Sequence, residues 1–523
     1  MQEVNWVALS IFVVLFGFIT WLGFAAARWR RGDLDLLHEW GLGGRRFGTV
    51  ITWFLVGGDV YTAYTFIAIP ALAFGAGAVA FFAVPYTIII YPLMFLVFRR
   101  LWNVCSKHGY ITAGDFVKGR FGNRWLALAI TVTGIVATMP YIALQLVGLQ
   151  VVIGALGIGG TGLMADLPLL IAFVVLAAFT YSSGLRAPAS IAIVKDLLIY
   201  ITAFAAVIVI PYELGGFAKI FSAVPAQKLL LAVPGPNTTG SYSGYATLAL
   251  GSAFALFLYP HSLTGILSAS SGHVIRRNAA MLPGYTFMLG LLALFGFFVI
   301  ASGVDKLPEY AAGFKQFGNN FAVPALLLHS FPSWFAGVSF AAIGIGALVP
   351  AAIMSIAAAN LYTRNIHREF INKTPTDKQE SHVAKLVSLI VKVGALVFIL
   401  FVPTQYAVQL QLLGGIWIIQ TLPAVMLGAY TRWFNSWALL VGWAVGIYAG
   451  TSMAIAVKLT NTYPLHIGGH TFPGYTAVYT VILNLVIAIV LTPVFNALMP
   501  RKTPLDETVL ADYYPQGAVT KTL

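Results

Sequence analysis

An all-α integral membrane protein is what this sequence predicts, and three observations carry the prediction. Hydrophobic residues make up 59% of the 523 positions and charged residues only 9%. The charges are also segregated: none occurs from Val4 to Ala27, from Leu229 to Ile275, from Gln316 to Thr363 or from Val393 to Thr431, and only Asp59 interrupts Gly48 to Phe98. A helix of ~20 apolar residues crosses the ~30 Å hydrocarbon core, so these runs are long enough to span a bilayer. Finally, the 30 lysines and arginines gather between the apolar runs, and mostly on one side.

Cutting the runs at charges and turn residues yields thirteen spans. The first, 5–27, has an acidic flank at Glu3 and excess length for a cleaved leader, and reads as retained. The second, 48–74, follows a loop with Arg28, Arg30, Arg31, Arg45 and Arg46, and contains Gly57-Gly58-Asp59. The next four are 79–101, 124–156, 163–182 and 190–213, the last of these containing Lys195 and Asp196. Span 245–270 contains Pro260-His261, and 278–303 follows Arg276 and Arg277. Prolines at 308, 324 and 332 mark 308–333 as an external hairpin of short helices. Spans 335–364, 384–402, 405–430, 435–457 and 474–499 complete the set.

With the first residue outside, the internal loops and C-terminal tail hold 23 lysines and arginines and the external loops five. That imbalance predicts an external N-terminus and an internal C-terminus. The net charge of +13 sits beside span ends, facing anionic lipid headgroups, so membrane lipids and not nucleic acid are the expected partners. The single cysteine, Cys105, permits no internal disulfide.

Setting aside the first span and the last two leaves ten. Two units of five, an odd number, must enter the membrane from opposite faces, the inverted-repeat plan of many carriers. The expected division is 1–46 (first span and internal loop), 47–214 and 215–430 (the two repeats), and 431–523 (two further spans and tail). Each repeat opens with an interrupted helix. In the first, two glycines precede a charge near the midplane. In the second, Pro260 removes a backbone donor. Unwound backbone at this depth is tolerated where it lines a site.

Several stretches carry a family resemblance: Thr65-Phe66 with Pro70, Tyr141 to Val147, Gly184-Leu185-Arg186, Pro260-His261 with Ser270-Ser271 and Arg276, and Ala351 to Asn365. Over roughly residues 5–500 the chain resembles the sodium/solute symporter family. Gly57 to Phe66 and Val194-Lys195-Asp196 look most like its bacterial monocarboxylate permeases. The resemblance implies a LeuT-like fold and an inner-membrane carrier, working by alternating access, for lactate, pyruvate and similar short acids, some also alanine. It also implies a sodium site built from carbonyls of Gly58, Tyr61 and Ala352 and the hydroxyl of Ser355. Here the family's second hydroxyl position is Ile356, and Ala358 and Ala359 stand where some relatives have another pair. An isoleucine offers no oxygen to a hard cation, so proton coupling is expected over sodium.

Asp59, in the helix break, and Asp196 are the candidate proton-coupling residues, since an ionisable group at bilayer depth costs ~2.5 to 3.5 kcal/mol or more unless it has a function or a partner. Lys195 is expected to reach toward the headgroups and not to pair with its neighbour Asp196. The anion would be held by the positive ends of the broken half-helices around Gly57 and Gly58, with His261 as the side chain able to become cationic. Tyr61, Thr62, Thr65, Tyr141, Gln145, Tyr259 and Gln420 would add polar contacts and Trp417 would close the pocket.

Other signals are set aside. Gly157 to Gly162 spells GxGxxG, but between two spans and without a preceding strand. His466 and His470 flank two glycines in an external loop, a poor metal geometry. No phosphate-binding loop is present, so nucleotide-driven pumping is not expected; the carrier reading implies no covalent chemistry and no cofactor beyond the coupling ion, H+ or Na+. The alternatives are a sodium-coupled carrier of a neutral amino acid, sugar or vitamin, a passive channel, and a nutrient sensor acting with a separate kinase.

Overall fold

The computed structural model describes residues 3–29, 32–158, 163–401, 407–460, 462–499 and 506–514. The ends of the spans expected to meet near 402–405, most of the glycine motif at 157–162 and most of the C-terminal tail lie outside those residues. Among the described residues, ten helices are long and apolar enough to cross a membrane, or eleven if the pair Tyr242–Leu258 and Pro260–Leu267, bent by 56°, is one span. The helical run Tyr64–His108 covers parts of two expected spans. It turns at Gly77, whose φ of 73° and ψ of −137° no residue with a side chain adopts readily.

At the centre stands helix Ser333–Tyr362, buried along its membrane window. Its alanines and glycines let neighbours approach backbone to backbone: a Cβ on Gly337 would lie 2.6 Å from the carbonyl oxygen of Ala8 on the first helix, Trp6–Ala25. Helices Arg124–Ala155, Arg186–Glu213 and Asp377–Phe401 pack around the same core. Asn123 starts the first of these by accepting from the amides of Trp125 and Leu126. The last two long helices, Ser436–Ala456 and Thr476–Leu498, pack mainly on each other.

Helix Arg186–Glu213 begins four residues before the expected span and is anchored at that end. The buried guanidinium of Arg186 pairs with the carboxylate of Glu39 and donates to its carbonyl at 2.8 Å. Arg46 holds the other Glu39 oxygen at 2.8 Å.

The proline-marked stretch 308–333 forms the short helices Ala311–Phe317 and Ala322–Ser330. The loop expected around His466 and His470 is instead a β-hairpin, Tyr463–Ile467 against His470–Gly474, turning on Gly468 and Gly469 with φ of 56° and 80°. Among the described residues no group of three or more His, Cys, Asp or Glu converges there or elsewhere.

Residues 506–514 run across the arginine-rich end of the molecule. Asp506 pairs with Arg120 at 2.8 Å, and Arg120 also holds the carbonyls of Gly428 and Thr431. Arg432 holds the carbonyl of Thr508 at 2.7 Å. Arg100 lies over the rings of Tyr430, Tyr513 and Tyr514. Asp512 pairs with Lys107 and with His108, the latter at 2.8 Å. Burial alone would raise its carboxyl, but hydrogen bonds from His108, Lys107 and the Val509 amide hold it down at about 2.

Replacing Arg186 by alanine leaves Glu39 buried without its inner partner, and is expected to cost about 3 to 5 kcal/mol, read as a lowered unfolding midpoint in detergent. Because Asp512 titrates below its ordinary value of 3.8, its contribution to tail docking is complete above that value and is lost as pH falls toward about 2. Limited proteolysis at 506–514 across that range is expected to show protection at pH 5 to 7 and cleavage only under strong acid.

Candidate substrate and coupling site

The first interrupted helix runs from Thr49 to Thr52, widens to a π-type turn over Trp53–Gly57, and unwinds between Asp59 and Thr62 before resuming over Tyr64–Ala68. The second breaks at Tyr259, whose extended backbone (φ −60°, ψ 135°) joins Tyr242–Leu258 to Pro260–Leu267. Both breaks fall where glycine and proline weaken the helix, and the two meet: the Asp59 carboxylate lies 3.0 Å from the hydroxyl of Ser262 and 3.4 Å from Nε2 of His261. Asp59 is 5% exposed and His261 1%. The other Asp59 oxygen and the Tyr64 hydroxyl have no hydrogen-bond partner among the described residues.

The backbone freed by the first break is repaired from nearby. The Thr62 amide donates to Oγ1 of Thr65 at 3.0 Å, and that hydroxyl donates back to the Thr62 carbonyl at 2.9 Å. The Tyr64 amide donates to Oγ1 of Thr62, and the Ala63 amide to Oε1 of Gln145, each at 3.0 Å. Thr62, Thr65 and Gln145 were expected to contact solute; here they cap the resumed half-helix. Gln145 is held in turn by the Tyr141 carbonyl at 3.3 Å.

Two carbonyls of the break, those of Gly58 and Tyr61, accept from the ammonium of Lys195, the second at 3.1 Å. Lys195 is fully buried and lies 3.0 Å from Oδ1 of Asp196, whose Oδ2 accepts from the Tyr285 hydroxyl at 2.6 Å. The sequence reading sent this lysine toward the headgroups and denied it Asp196; both expectations are corrected. Because the helix begins at Arg186, Lys195 sits nine residues in, ~14 Å along the helix at 1.5 Å per residue, and its ammonium turns inward to the first helix break. Gly57 and Gly58 leave the room: a Cβ on Gly57 would strike the Tyr285 ring, and one on Gly58 would lie 2.8 Å from the Lys195 nitrogen. The Tyr61 ring packs against that of Tyr285 at a 43° tilt, centroids 4.5 Å apart, and its hydroxyl donates to the Tyr285 carbonyl at 3.1 Å.

The remaining oxygens of the expected sodium site are also committed. Ser355 donates to the Ala352 carbonyl at 2.8 Å and accepts from Ser388 at 3.2 Å, and Ser388 accepts from the buried Lys392 at 2.8 Å. Ile356 is buried beside them and adds no oxygen. This set does not fit a free sodium ion.

Tyr141, Tyr259 and His261 form an aromatic cluster with centroids 5.2 to 5.3 Å apart, and the Tyr259 hydroxyl is bound to the Gln411 carbonyl at 3.2 Å. Between Asp59, Ser262, Tyr91 and Tyr285 lies a cavity with room for about one water molecule, so the site is closed in this conformation. Two expected residues are turned away from it. Gln420 binds Thr480 at 2.9 Å and Asn484 at 3.2 Å, and Trp417 donates to Thr451 at 3.1 Å, all on the last two long helices. Sequence reasoning missed Tyr64, Ser262, Tyr285 and Lys392; Ser262 was signalled by its place directly after His261.

A closed site between two broken helices, in a bundle of long apolar spans, is the architecture of a multi-pass membrane transporter. The model of the sodium:solute symporter family matches residues 40–446, and this chain belongs to that family. A relative described as a monocarboxylate transport permease protein, from Rhizobium johnstonii, is 51% identical over 511 residues, covering 96% of this chain and 99% of that one. An uncharacterized symporter of Bacillus subtilis, YodF, is 31% identical over 94% of both chains. Among solved structures, a Na+-coupled sialic acid symporter in a substrate-bound outward-open state aligns with a TM-score of 0.73 over 94% of this chain and 98% of its own, at 17% identity, a likeness of fold.

Gln420→Ala is expected to lower the unfolding midpoint while leaving the KM for transported solute within about twofold of wild type, since it removes hydrogen bonds of roughly 1 kcal/mol each outside the cavity.

Proposed function

We propose that this protein imports short monocarboxylates such as lactate and pyruvate across a bacterial inner membrane by proton symport. The observation that carries the reading is the Asp59 carboxylate, buried between the two helix breaks with His261 and Ser262 against one oxygen and the other oxygen unpartnered among the described residues. An ionised Asp59 repels an incoming carboxylate. A proton on Asp59 removes the repulsion and leaves the imidazole of His261, whose nitrogens have no hydrogen-bond partner among the described residues, to donate to the solute, so proton and anion bind together. Asp196, hydrogen-bonded to Tyr285 and beside Lys195, is the second acid on the proposed route. The substrate class is supported by the relative whose description names monocarboxylates.

In this reading thirteen spans place the N-terminus outside and the C-terminus inside. Residues 47–214 and 215–430 form oppositely inserted LeuT-like repeats that rock about the site, and 431–523 adds two spans and the tail.

Purified protein in proteoliposomes is expected to accumulate labelled lactate when the outside is made acidic, and not when a sodium gradient is imposed at equal pH on both sides. Asp59→Asn is expected to abolish accumulation, and His261→Ala to raise KM about tenfold, a loss of ~1.4 kcal/mol. Accumulation driven by sodium alone, or undiminished in Asp59→Asn, overturns the proton reading.

A further inference from the structure

The same interior holds a buried lysine, Lys195, that the proposed cycle of Asp59 does not use. We propose that the ammonium of Lys195 is a tethered cation filling the oxygen cradle of the first helix break, so that no alkali ion binds there. This inference deepens the proton-coupled reading above and rests on it for its meaning in transport; its test is a binding measurement.

An ammonium group has three donors and no acceptor. Here it meets the Gly58 carbonyl, the Tyr61 carbonyl at 3.1 Å and Oδ1 of Asp196 at 3.0 Å. A bound metal ion asks for the same things: backbone oxygens released by an unwound helix, a carboxylate to balance charge, and exclusion of water. The lysine meets all three, being fully buried and reaching across from helix Arg186–Glu213 to the break. Gly58 is the residue that lets it in, since a Cβ there would lie 2.8 Å from the nitrogen.

Two further facts close the site to a free ion. An alkali cation at the same carbonyls would face the ammonium at contact distance, a repulsion that a dry interior does not screen. Ser355, the hydroxyl that the family resemblance assigns to a sodium site, is drawn into a chain with Ser388 and the buried Lys392. The tether also crosses between two parts of the molecule, joining the break to helix Arg186–Glu213 without drawing an ion from outside.

Sodium binding by the purified protein tests the assignment. Labelled sodium is expected to show no saturable binding to the wild type, and the unfolding midpoint is expected to be the same in sodium chloride as in choline chloride of equal ionic strength. Lys195→Ala is expected to unfold at a lower temperature in choline and to recover roughly 2 °C or more in sodium, as an ion enters the vacated cradle. Saturable binding of about one sodium per wild-type chain, or a Lys195→Ala midpoint equal to wild type in both salts, overturns the assignment. Should the variant not fold, the wild-type binding measurement decides alone. Absence of sodium binding in a protein that carries no lactate supports the lysine assignment while removing the substrate reading, so the two fail separately.

Discussion

Carbonyl groups released where a membrane-spanning helix unwinds have to be paired inside the protein, because each unsatisfied backbone group in hydrocarbon costs several kcal/mol. The interior around Asp59 is arranged by that constraint. One side of the break is repaired by Thr62, Thr65 and Gln145, which take up the amides of the resumed half-helix. The other is repaired by Lys195, which takes up the carbonyls. The glycines at 57 and 58 are the complement of this repair, admitting the Tyr285 ring and the lysine against bare backbone.

The two buried carboxylates consequently live in different surroundings. Asp196 is enclosed by an ammonium and a phenol and is part of the scaffold that holds the break in shape. Asp59 faces the other broken helix, with one oxygen against Ser262 and His261 and the other open to the small cavity. A carboxylate with an unpartnered oxygen suits the first acceptor on the proposed proton route, and one held by an ammonium of its own helix and a phenol from another suits a later station on it.

The membrane-spanning character and both helix breaks were legible in the sequence, because charge segregation and the residues Gly57, Gly58 and Pro260 act locally. The family was legible too, through short stretches such as Tyr141 to Val147 and Gly184-Leu185-Arg186. What escaped was long-range partnership. Lys195 was misplaced because the span was started at 190, where apolar character begins, and not at Arg186, whose charge is hidden by Glu39 more than a hundred residues away. Gln420 and Trp417 read as pocket residues by depth, yet the side of their helix they occupy faces the last two long helices, a matter of packing that one helix alone does not reveal. The hairpin at 463–474 was hidden by its proline and histidine content, its register being set by the Gly468-Gly469 turn.

The strap at 506–514 joins segments that lie far apart in the chain. Through Arg100, Lys107 and His108 it holds the end of the third expected span and the stretch after it, and through Arg432 and Arg120, itself bonded to the Gly428 and Thr431 carbonyls, it holds the stretch around 428–432. Any movement that parts those segments must first peel it away. Its pairs are shielded at the acidic side, with Asp512 2% and Asp506 15% exposed and Arg120 3% exposed, and even a net 1 to 2 kcal/mol from them would tilt the balance between joined and parted forms by roughly five- to thirtyfold. The terminus thereby sets a resting posture for the whole machine without touching its cargo.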